Sequence, residues 1–225
     1  MRELLTKFVN LVFENACLIC NKSSGNLEIC QNCREDFKER KDNHTKHLNN
    51  ITVYSFGYYD GKLRHGIINL KNGKKKLALY FSNLLIDFWQ RLKPNTKNNT
   101  WAIIPVPSHK KRIEERGYCQ TSSIAKDFAK NMSFKYSNDL LIRRKNTKHM
   151  NNLKNINERI ENIKDAFILN KEISNILVPS SNLLIIDDIV TSGSTMCEIA
   201  KTIHKFNPEI KLHGLTIASG DLWDS

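Results

Sequence analysis

The chain has 225 residues, of which 40% are hydrophobic and 26% are charged, an ordinary balance for a folded chain of one or two domains. These values exclude a wholly disordered protein, a collagen and a small disulfide-stapled protein. Lys and Arg number 35 against 23 Asp and Glu, a formal net charge of +12. This excess favours polyanionic partners such as nucleic acid, phosphorylated small molecules or an anionic membrane surface, with a solvated basic surface as the alternative.

The most apolar stretch of the chain covers residues 4–16. Its apolar residues recur at helical spacing, which predicts one helix face packed on the rest of the chain. Lys7 and Glu14 interrupt the stretch, so we do not expect a secretory signal. No apolar run approaches the length of a membrane span, about 18 residues. We therefore expect a protein without a membrane span that stays in the cytoplasm.

Four of the six cysteines form two closely spaced pairs. Cys17 and Cys20 form one C-x-x-C unit, and Cys30 and Cys33 form a second after a polar loop. Each unit can direct two thiolates at one ion, and two units complete a tetrahedron of sulfur around zinc. A redox pair or four unrelated buried cysteines are the alternatives, but the segment is too small for a core of its own. We predict a structural zinc site with no open position for catalysis.

After the cysteines, the sequence pattern predicts strands alternating with helices, the signature of an α/β sheet. Residues 35–50 are charged and Asn-rich, so a helix end and a linker are expected there. The last predicted helix places Phe206 on its inward face. Strands are predicted at 51–59, 101–105, 140–142, 166–169, 183–186 and 212–218, helices at 63–70, 77–92, 118–129 and 193–206, and a loop at 94–100.

Residues 183–195 carry the most informative pattern. An apolar strand leads into Asp187 and Asp188, and a loop of Thr, Ser and Gly then opens a helix. Backbone N–H groups at a helix N-terminus favour phosphate, and ligands of open α/β sheets bind at this end of the strands. Two carboxylates beside a phosphate site indicate ribose hydroxyls or a bridging Mg²⁺. The pattern is neither a P-loop nor a dinucleotide fingerprint; a plain strand–loop–helix junction is the alternative.

The same segment resembles the PRPP-binding motif of type I phosphoribosyltransferases: four apolar residues, two Asp, two apolar residues and T-S-G-S-T. By that resemblance, Asp187 and Asp188 hold the 2′ and 3′ hydroxyls of the ribose. The loop wraps the 5′-phosphate of PRPP, and Mg²⁺ accompanies the ligand. The loop residues expected to bind PRPP are Thr191, Ser192, Gly193, Ser194 and Thr195.

Two basic clusters follow other predicted strands. The first follows Pro105 and could neutralise a pyrophosphate or contact a phosphate backbone. The second precedes an Asn-rich stretch, residues 146–157, which is typical of a mobile loop that closes over a charged ligand. A solvated basic surface is the alternative for each. The first cluster comprises Ser108, Lys110, Lys111, Arg112 and Arg116, and the second supplies the candidate catalytic cations Arg143, Arg144, Lys145 and Lys148.

Several segments together resemble the ComF competence family. Residues 103–120 are similar to its P-V-P-x-x-x-x-R-x-x-x-R-G-[FY]-N-Q stretch, and residues 59–64 with Lys71 to its Y-x-G-x-[LIV]-[RK] segment. Residues 141–167 are similar to its R-R-x-x-x-T…L…R…N…AF stretch, and the four-cysteine N-terminus is typical of it. The chain departs from the family pattern at Cys119, where Asn is usual, and at Met150, where Gln is frequent.

The resemblance implies a type I phosphoribosyltransferase-like fold: a mainly parallel sheet flanked by helices, preceded by a small zinc module. We expect residues 1–48 to form the N-terminal helix and zinc module, and residues 49–225 the phosphoribosyltransferase-like domain. The implied role is natural transformation, with PRPP or a related phosphoribosyl ligand, single-stranded DNA and other competence proteins as candidate partners.

Two alternative functions fit the same residues. One is a salvage enzyme that transfers phosphoribosyl from PRPP to a nucleobase. The other is a nucleic-acid-binding protein that kept the loop without catalysis. Catalysis, where present, would displace pyrophosphate at the anomeric carbon and depend on positioning and charge neutralisation. Single-strand binding needs stacking aromatics, for which the candidates are Tyr54, Phe56, Tyr58, Tyr59 and Tyr118.

Overall fold

A computed structural model describes residues 15–92, 101–147, 153, 155–170, 182–220 and 223. The helix predicted in residues 4–16, except its end, the loop at 94–100, Lys148 and Met150 lie outside the described residues. The elements follow in the order α1 (Gln31–Glu35), β1 (Thr45–Leu48), β2 (Ile51–Tyr58), α2 (Gly61–Lys71), α3 (Leu77–Leu92), β3 (Trp101–Pro105), α4 (Lys110–Arg116), α5 (Gln120–Met132), β4 (Lys135–Tyr136), β5 (Leu141–Arg143), α6 (Ile156–Ile163), β6 (Phe167–Leu169), β7 (Asn182–Val190), α7 (Ser194–His204) and β8 (Lys211–Ser219).

Six strands form one sheet in the order β1-β2-β8-β7-β3-β4. Its neighbours from β2 to β4 run parallel, and β1 pairs antiparallel with β2. Strands β5 and β6 form a separate antiparallel pair. The expected mainly parallel α/β sheet is therefore confirmed. The central strand β7 pairs with β8 on one side and β3 on the other, so the acidic pair at its end lies in the middle of the sheet.

The alternation of side chains along the strands creates two cores, one on each face of the sheet. In β7, Leu184 and Ile186 contribute to one core, and Leu183 and Ile185 contribute to the other. Helices α2, α3 and α5 cover the first face, while α7 and the β5–β6 pair cover the second. Covering both faces explains the uninterrupted apolar run in β7. Among the described residues, no helix is both long and apolar enough to cross a membrane.

The cysteine-rich segment packs against α2 and shares the first core. Cys17, Ile19 and Cys33 are buried in that core. The Lys74 Nζ donates a hydrogen bond to the Leu18 carbonyl over 2.9 Å, and the Asn69 side chain donates to the same oxygen over 2.8 Å. The small cysteine-rich segment has no core of its own and buries its apolar side chains against the larger part of the chain. The division of the chain at residue 48 stays a prediction.

Two local predictions differ from the structure, and two helices were not predicted. The linker expected over residues 35–50 is wrong for Thr45–Leu48, which form β1, because backbone pairing with β2 makes a strand without an apolar run. Phe206 is 51% exposed rather than inward, because α7 ends before it. Helices α4 and α6 were not predicted. Helix α4 lacks an apolar face, whereas α6 carries Ile156, Ile160 and Ile163 at helical spacing. Both begin at side-chain caps, from His109 and Asn155.

Candidate phosphate-binding cleft and cysteine cluster

The loop after β7 approaches the first strand of the sheet closely. Gly193 has φ +77°, and a Cβ built there would lie 2.3 Å from the Leu48 Cδ1. Glycine is therefore required both by the left-handed backbone and by the lack of space. The loop then enters α7 at Ser194, whose Oγ lies 2.6 Å from the Ser192 Oγ. Backbone N–H groups and hydroxyls collect at the start of an eleven-residue helix, a favourable arrangement for an anion.

The two aspartates lie near the end of β7 and interact through the backbone. The Asp188 N–H donates to the Asp187 Oδ1 over 2.9 Å. The Lys71 Nζ lies 2.6 Å from the Asp188 Oδ2. Burial and the neighbouring charge of Asp188 raise the pKa of Asp187 well above its ordinary value, against the opposing effects of the Asp188 N–H, Lys71 and Arg143. The pair is thus costly to keep fully ionised unless cations stand beside it.

The loop and the aspartates line a cleft of about 350 Å³. Five parts of the chain meet there: the β7–α7 loop, the β3–α4 junction, helix α2, the start of α5 and the end of β5. Five basic and two acidic side chains line it, so its field attracts anions. The charged lining residues are Arg64, Lys71, Arg112, Arg116, Arg143, Asp187 and Asp188, and all five loop residues from Thr191 to Thr195 line it with them.

Helix α4 places some members of the first basic cluster in the cleft and others in solvent. Arg112 and Arg116 are four positions apart and both line the cleft together with Ser108. Lys110 and Lys111 are exposed and are absent from the lining residues. The Arg112 Nη2 donates to the Thr147 carbonyl over 2.8 Å, and burial with the nearby charge of Arg116 lowers the pKa of Arg112.

The second basic cluster contributes one described side chain to the cleft. Arg143 lines it, contacts the Thr147 hydroxyl and lies 5.6 Å from the centre of the Phe167 ring. Burial and the charge of Arg112 lower the pKa of Arg143 to about 10. Arg144 and Lys145 instead donate to the backbone carbonyls of the turn before β6 and are exposed. Lys148 lies outside the described residues.

Helix α2 supplies cleft residues that the sequence reasoning did not assign to the site. Arg64, Ile68 and Lys71 line the cleft, at spacings of four and three residues that place them on one helix face. Tyr59 lies just before this helix, and the Arg64 guanidinium is 5.7 Å from the centre of its ring. The helical spacing was visible in the sequence, but nothing local indicated that this face meets β7.

Cys119, which departs from the family pattern, lies beside the cleft at the start of α5. Its Sγ is 3.2 Å from the Thr121 Oγ1 and 3.6 Å from the Ser108 Oγ. Burial raises the pKa of this thiol, and contacts with the Ser122, Thr121 and Ser108 groups lower it to a value below the ordinary one. Cys119 therefore contacts Ser108, a residue that lines the cleft.

The four N-terminal cysteines form a compact cluster. Their sulfur atoms all lie within 4.8 Å of one another, close to the spacing of about 3.8 Å that a tetrahedron with zinc–sulfur bonds of about 2.3 Å requires. The N–H groups of Ile19 and Cys30 point at the Cys17 Sγ over 3.4 Å. Burial raises the pKa of Cys17, but N–H groups of Cys20, Cys30 and Ile19 lower it to about 6. The cluster could hold a metal ion such as zinc.

A sequence comparison finds a relative named Competence protein F, from Haemophilus influenzae. It is 33% identical over 118 residues, which cover 52% of this chain and 50% of that protein. The match spans about half the length of the curated relative. No family model matches the chain.

A comparison with solved structures finds phosphoribosyltransferases among its matches. The adenine enzyme of Trypanosoma brucei, in complex with AMP, pyrophosphate and ribose-5-phosphate, has a TM-score of 0.41 and 9% identity over 81% of this chain and 86% of that chain. The adenine enzyme of Leishmania tarentolae has a TM-score of 0.36 and 10% identity over 79% and 95%. The hypoxanthine enzyme of Staphylococcus aureus has a TM-score of 0.30 and 16% identity over 62% and 61%. The resemblance to the ComF family that the motifs predict is confirmed by the relative from Haemophilus influenzae, which carries the name of that family's protein.

Proposed function

We propose that the chain is a ComF-like protein whose cleft binds PRPP or a related ligand that carries a phosphorylated ribose. The observation that carries the proposal is the meeting of the phosphate loop, two adjacent aspartates and four arginines in one cleft. Its volume, about 350 Å³, falls in the range of small-molecule sites, about 300–1,000 Å³. The phosphate loop suits the 5′-phosphate of such a ligand, and the arginines suit its pyrophosphate.

The β7–α7 loop suits the 5′-phosphate. Gly193 lets the backbone turn at the start of α7, and the hydroxyls of Ser192 and Ser194 lie together there. The helix dipole and the free N–H groups of the first turn add to the attraction of an anion. In this proposal, Asp187 and Asp188, a few residues earlier, accept hydrogen bonds from the ribose hydroxyls. In this proposal the loop and the acidic pair hold the ribose-5-phosphate half of the ligand.

The arginines suit the pyrophosphate. Arg112 and Arg116 point from one face of α4 into the cleft beside Ser108, and planar guanidinium groups bind phosphate oxygens in pairs. If the bond between the anomeric carbon and pyrophosphate breaks, negative charge grows on the departing oxygen, and in this proposal these cations stabilise it. Arg143 is the described member of the candidate catalytic cluster that reaches the cleft.

Mg²⁺ fits the donor set of this cleft. Asp187 and Asp188 offer carboxylate oxygens, and Mg²⁺ combines one or two carboxylates with phosphate oxygens and water. When bound, the ion would neutralise part of the charge of the pyrophosphate. We propose zinc as the metal of the cysteine cluster, held by Cys17, Cys20, Cys30 and Cys33, because four cysteine sulfurs within 4.8 Å of one another suit its preference for tetrahedral sulfur ligands.

The proposal extends to natural transformation and to single-stranded DNA. The net charge of +12 and the exposed Lys110 and Lys111 on α4 favour contact with a phosphate backbone. These lysines lie on the same short helix as Arg112, which faces the cleft. DNA bound along α4 would therefore pass close to the opening of the cleft, and PRPP would compete with it if the two ligands overlap.

Calorimetric titration with PRPP and Mg²⁺ tests the proposed ligand. We expect Asp187→Ala and Asp188→Ala each to weaken binding by about 1–3 kcal/mol, the range for hydrogen bonds to charged groups. Asp42→Ala is the matched control, since Asp42 is an exposed carboxylate away from the cleft. Unchanged affinity in both well-folded cleft variants would show that the loop has another ligand.

A further inference from the structure

The ion pair between Lys71 and Asp188 places a protein cation at one of the carboxylates proposed to bind the ligand. The Lys71 Nζ is 2.6 Å from the Asp188 Oδ2, and the two side chains are 29% and 13% exposed. Both residues line the cleft. The ion pair is thus partly buried and lies inside the cleft rather than on the outer surface.

The backbone that carries Lys71 is firmly packed. Leu63, Ile67 and Leu70 of α2 are each at most 1% exposed and belong to the first core. Lys71 is the last residue of this helix, where a cation also suits the helix dipole. Its side chain, in contrast, is a flexible four-carbon stem with a compact ammonium. The ammonium can therefore change partners within the cleft while the helix stays in place.

Lys71 and a divalent cation require the same position. The ammonium contacts the Asp188 Oδ2 at hydrogen-bonding distance, and Mg²⁺ would sit at about 2.1 Å from a carboxylate oxygen. Two cations at one oxygen repel strongly in a partly buried site. A ligand hydroxyl is uncharged and can share this oxygen with the ammonium, because an ionised carboxylate offers about four acceptor sites. A divalent cation, in contrast, requires Lys71 to leave the oxygen.

We propose that Lys71 is a built-in counter-ion, which occupies the cation position at Asp188 in the free protein and transfers to a phosphate oxygen when the ligand binds. Its first half, the exclusion of free divalent cations from the acidic pair, stands on the geometry alone. Its second half rests on the proposed function. The consequence is that a divalent cation binds the cleft together with the ligand's phosphates and not before them.

Metal titration without PRPP tests the first half, with zinc-loaded protein so that the cysteine cluster is filled. The probe is Mn²⁺, whose free concentration is followed by electron paramagnetic resonance. We expect Lys71→Met to bind Mn²⁺ about tenfold more tightly than the unchanged protein, because a neighbouring positive charge is removed. Lys71→Gln, a second neutral variant, should do the same, and Lys71→Arg, which keeps the charge, should behave like the unchanged protein.

Two further variants make the result specific. Lys76→Met is the matched control, because Lys76 forms a 3.8 Å ion pair with Glu28 on the outer surface and its loss should leave Mn²⁺ affinity unchanged. Asp188→Asn in the Lys71→Met background should abolish the gain. Equal Mn²⁺ affinity in the unchanged protein and both neutral variants would overturn the proposal, as would a gain that survives loss of Asp188.

A titration with PRPP and Mg²⁺ tests the second half. Lys71→Met should bind PRPP about tenfold more weakly, the loss of one hydrogen bond between charged groups, and Lys71→Arg should recover most of the affinity. Unchanged PRPP affinity in Lys71→Met would overturn the transfer to a phosphate. If the unchanged protein does not bind PRPP at all while Lys71→Met gains Mn²⁺, the proposed function fails and the counter-ion role at Asp188 stands.

Discussion

The cysteine cluster and the acidic pair are two places where ionisable groups of the same type lie close together, and they differ in the groups that face them. In the cysteine cluster, the contacts to the Cys17 sulfur come from backbone N–H groups. At the acidic pair, the Lys71 ammonium stands 2.6 Å from Asp188. Fixed dipoles support thiolates but do not cancel their charge, so in the proposal made above a metal ion balances the four thiolates. In the same proposal, the Lys71 ammonium balances the aspartates and gives way to a ligand. The two proposed sites thus differ in whether a bound ion or a protein side chain supplies the positive charge.

The largest effect should come from breaking the cysteine cluster. We expect Cys30→Ser to lose bound zinc and to lower stability severely, because a structural zinc site contributes on the order of 10 kcal/mol. Elemental analysis of protein purified without chelator and thermal unfolding measure the two effects. Cys197→Ser is the control, since Cys197 lies on α7 outside the cluster. Full zinc content in Cys30→Ser would remove that residue from the ligand set.

The next largest effect should come from Gly193, where the phosphate loop meets β1. Gly193→Ala must adopt φ +77° and displace the Leu48 side chain, so we expect a loss of about 1–3 kcal/mol. Gly117→Ala separates the two causes, because Gly117 has φ +74° with nothing within 4 Å of its built Cβ. Denaturant unfolding should show a larger loss at Gly193 than at Gly117. Equal losses would mean that the contact with Leu48 costs nothing.

A smaller effect, of opposite sign, should come from Asp187. Its pKa in the folded protein is raised above the unfolded value, so its ionisation destabilises the free protein as the pH rises from the unfolded pKa towards the folded one. Asp187→Asn removes that penalty. We expect the variant without ligand to melt higher at neutral pH by roughly 2–4 °C, for about 1 kcal/mol in a chain of this size.

The pH dependence of melting checks this prediction. The difference between Asp187→Asn and the unchanged protein should vanish in acid, where Asp187 is protonated. Asp188→Asn is the comparator, because it loses the ion pair with Lys71 and should not melt higher. A difference that is independent of pH would show that the aspartate charge is not the cause.

The smallest effect should come from the exposed lysines of α4. Affinity for single-stranded DNA should fall with salt at a log–log slope of about −0.7 per neutralised phosphate. Replacing Lys110 and Lys111 by Ala should make the slope shallower by about 1.4 if each contacts one phosphate, with PRPP affinity unchanged. Arg112→Ala should weaken PRPP binding as well, since Arg112 lines the cleft. A binding curve that barely responds to salt would contradict the electrostatic contact.

Features that depend on neighbours in sequence were predictable. Two C-x-x-C units predicted the cysteine cluster, and the apolar run before Asp187 predicted β7 with its loop, because spacing alone determines both. Features that depend on distant contacts were not. The charges of residues 110–116 predicted a basic cluster. The sequence did not show that Arg112 faces the cleft while Lys110 and Lys111 face solvent, because this depends on how α4 is oriented on the sheet. The approach of Lys71 to Asp188 joins positions more than a hundred residues apart.

The contact between Leu48 and Gly193 has a consequence for how the molecule can be taken apart. Strand β1 follows the cysteine-rich segment, yet its last side chain lies against the turn that opens the phosphate loop. A shortened chain that starts at residue 49 would remove this neighbour and leave the glycine turn uncovered. A chain that starts before Thr45 would keep it. The four residues of β1 therefore belong structurally with the sheet. An experiment that exchanges the cysteine-rich segment should leave β1 in place.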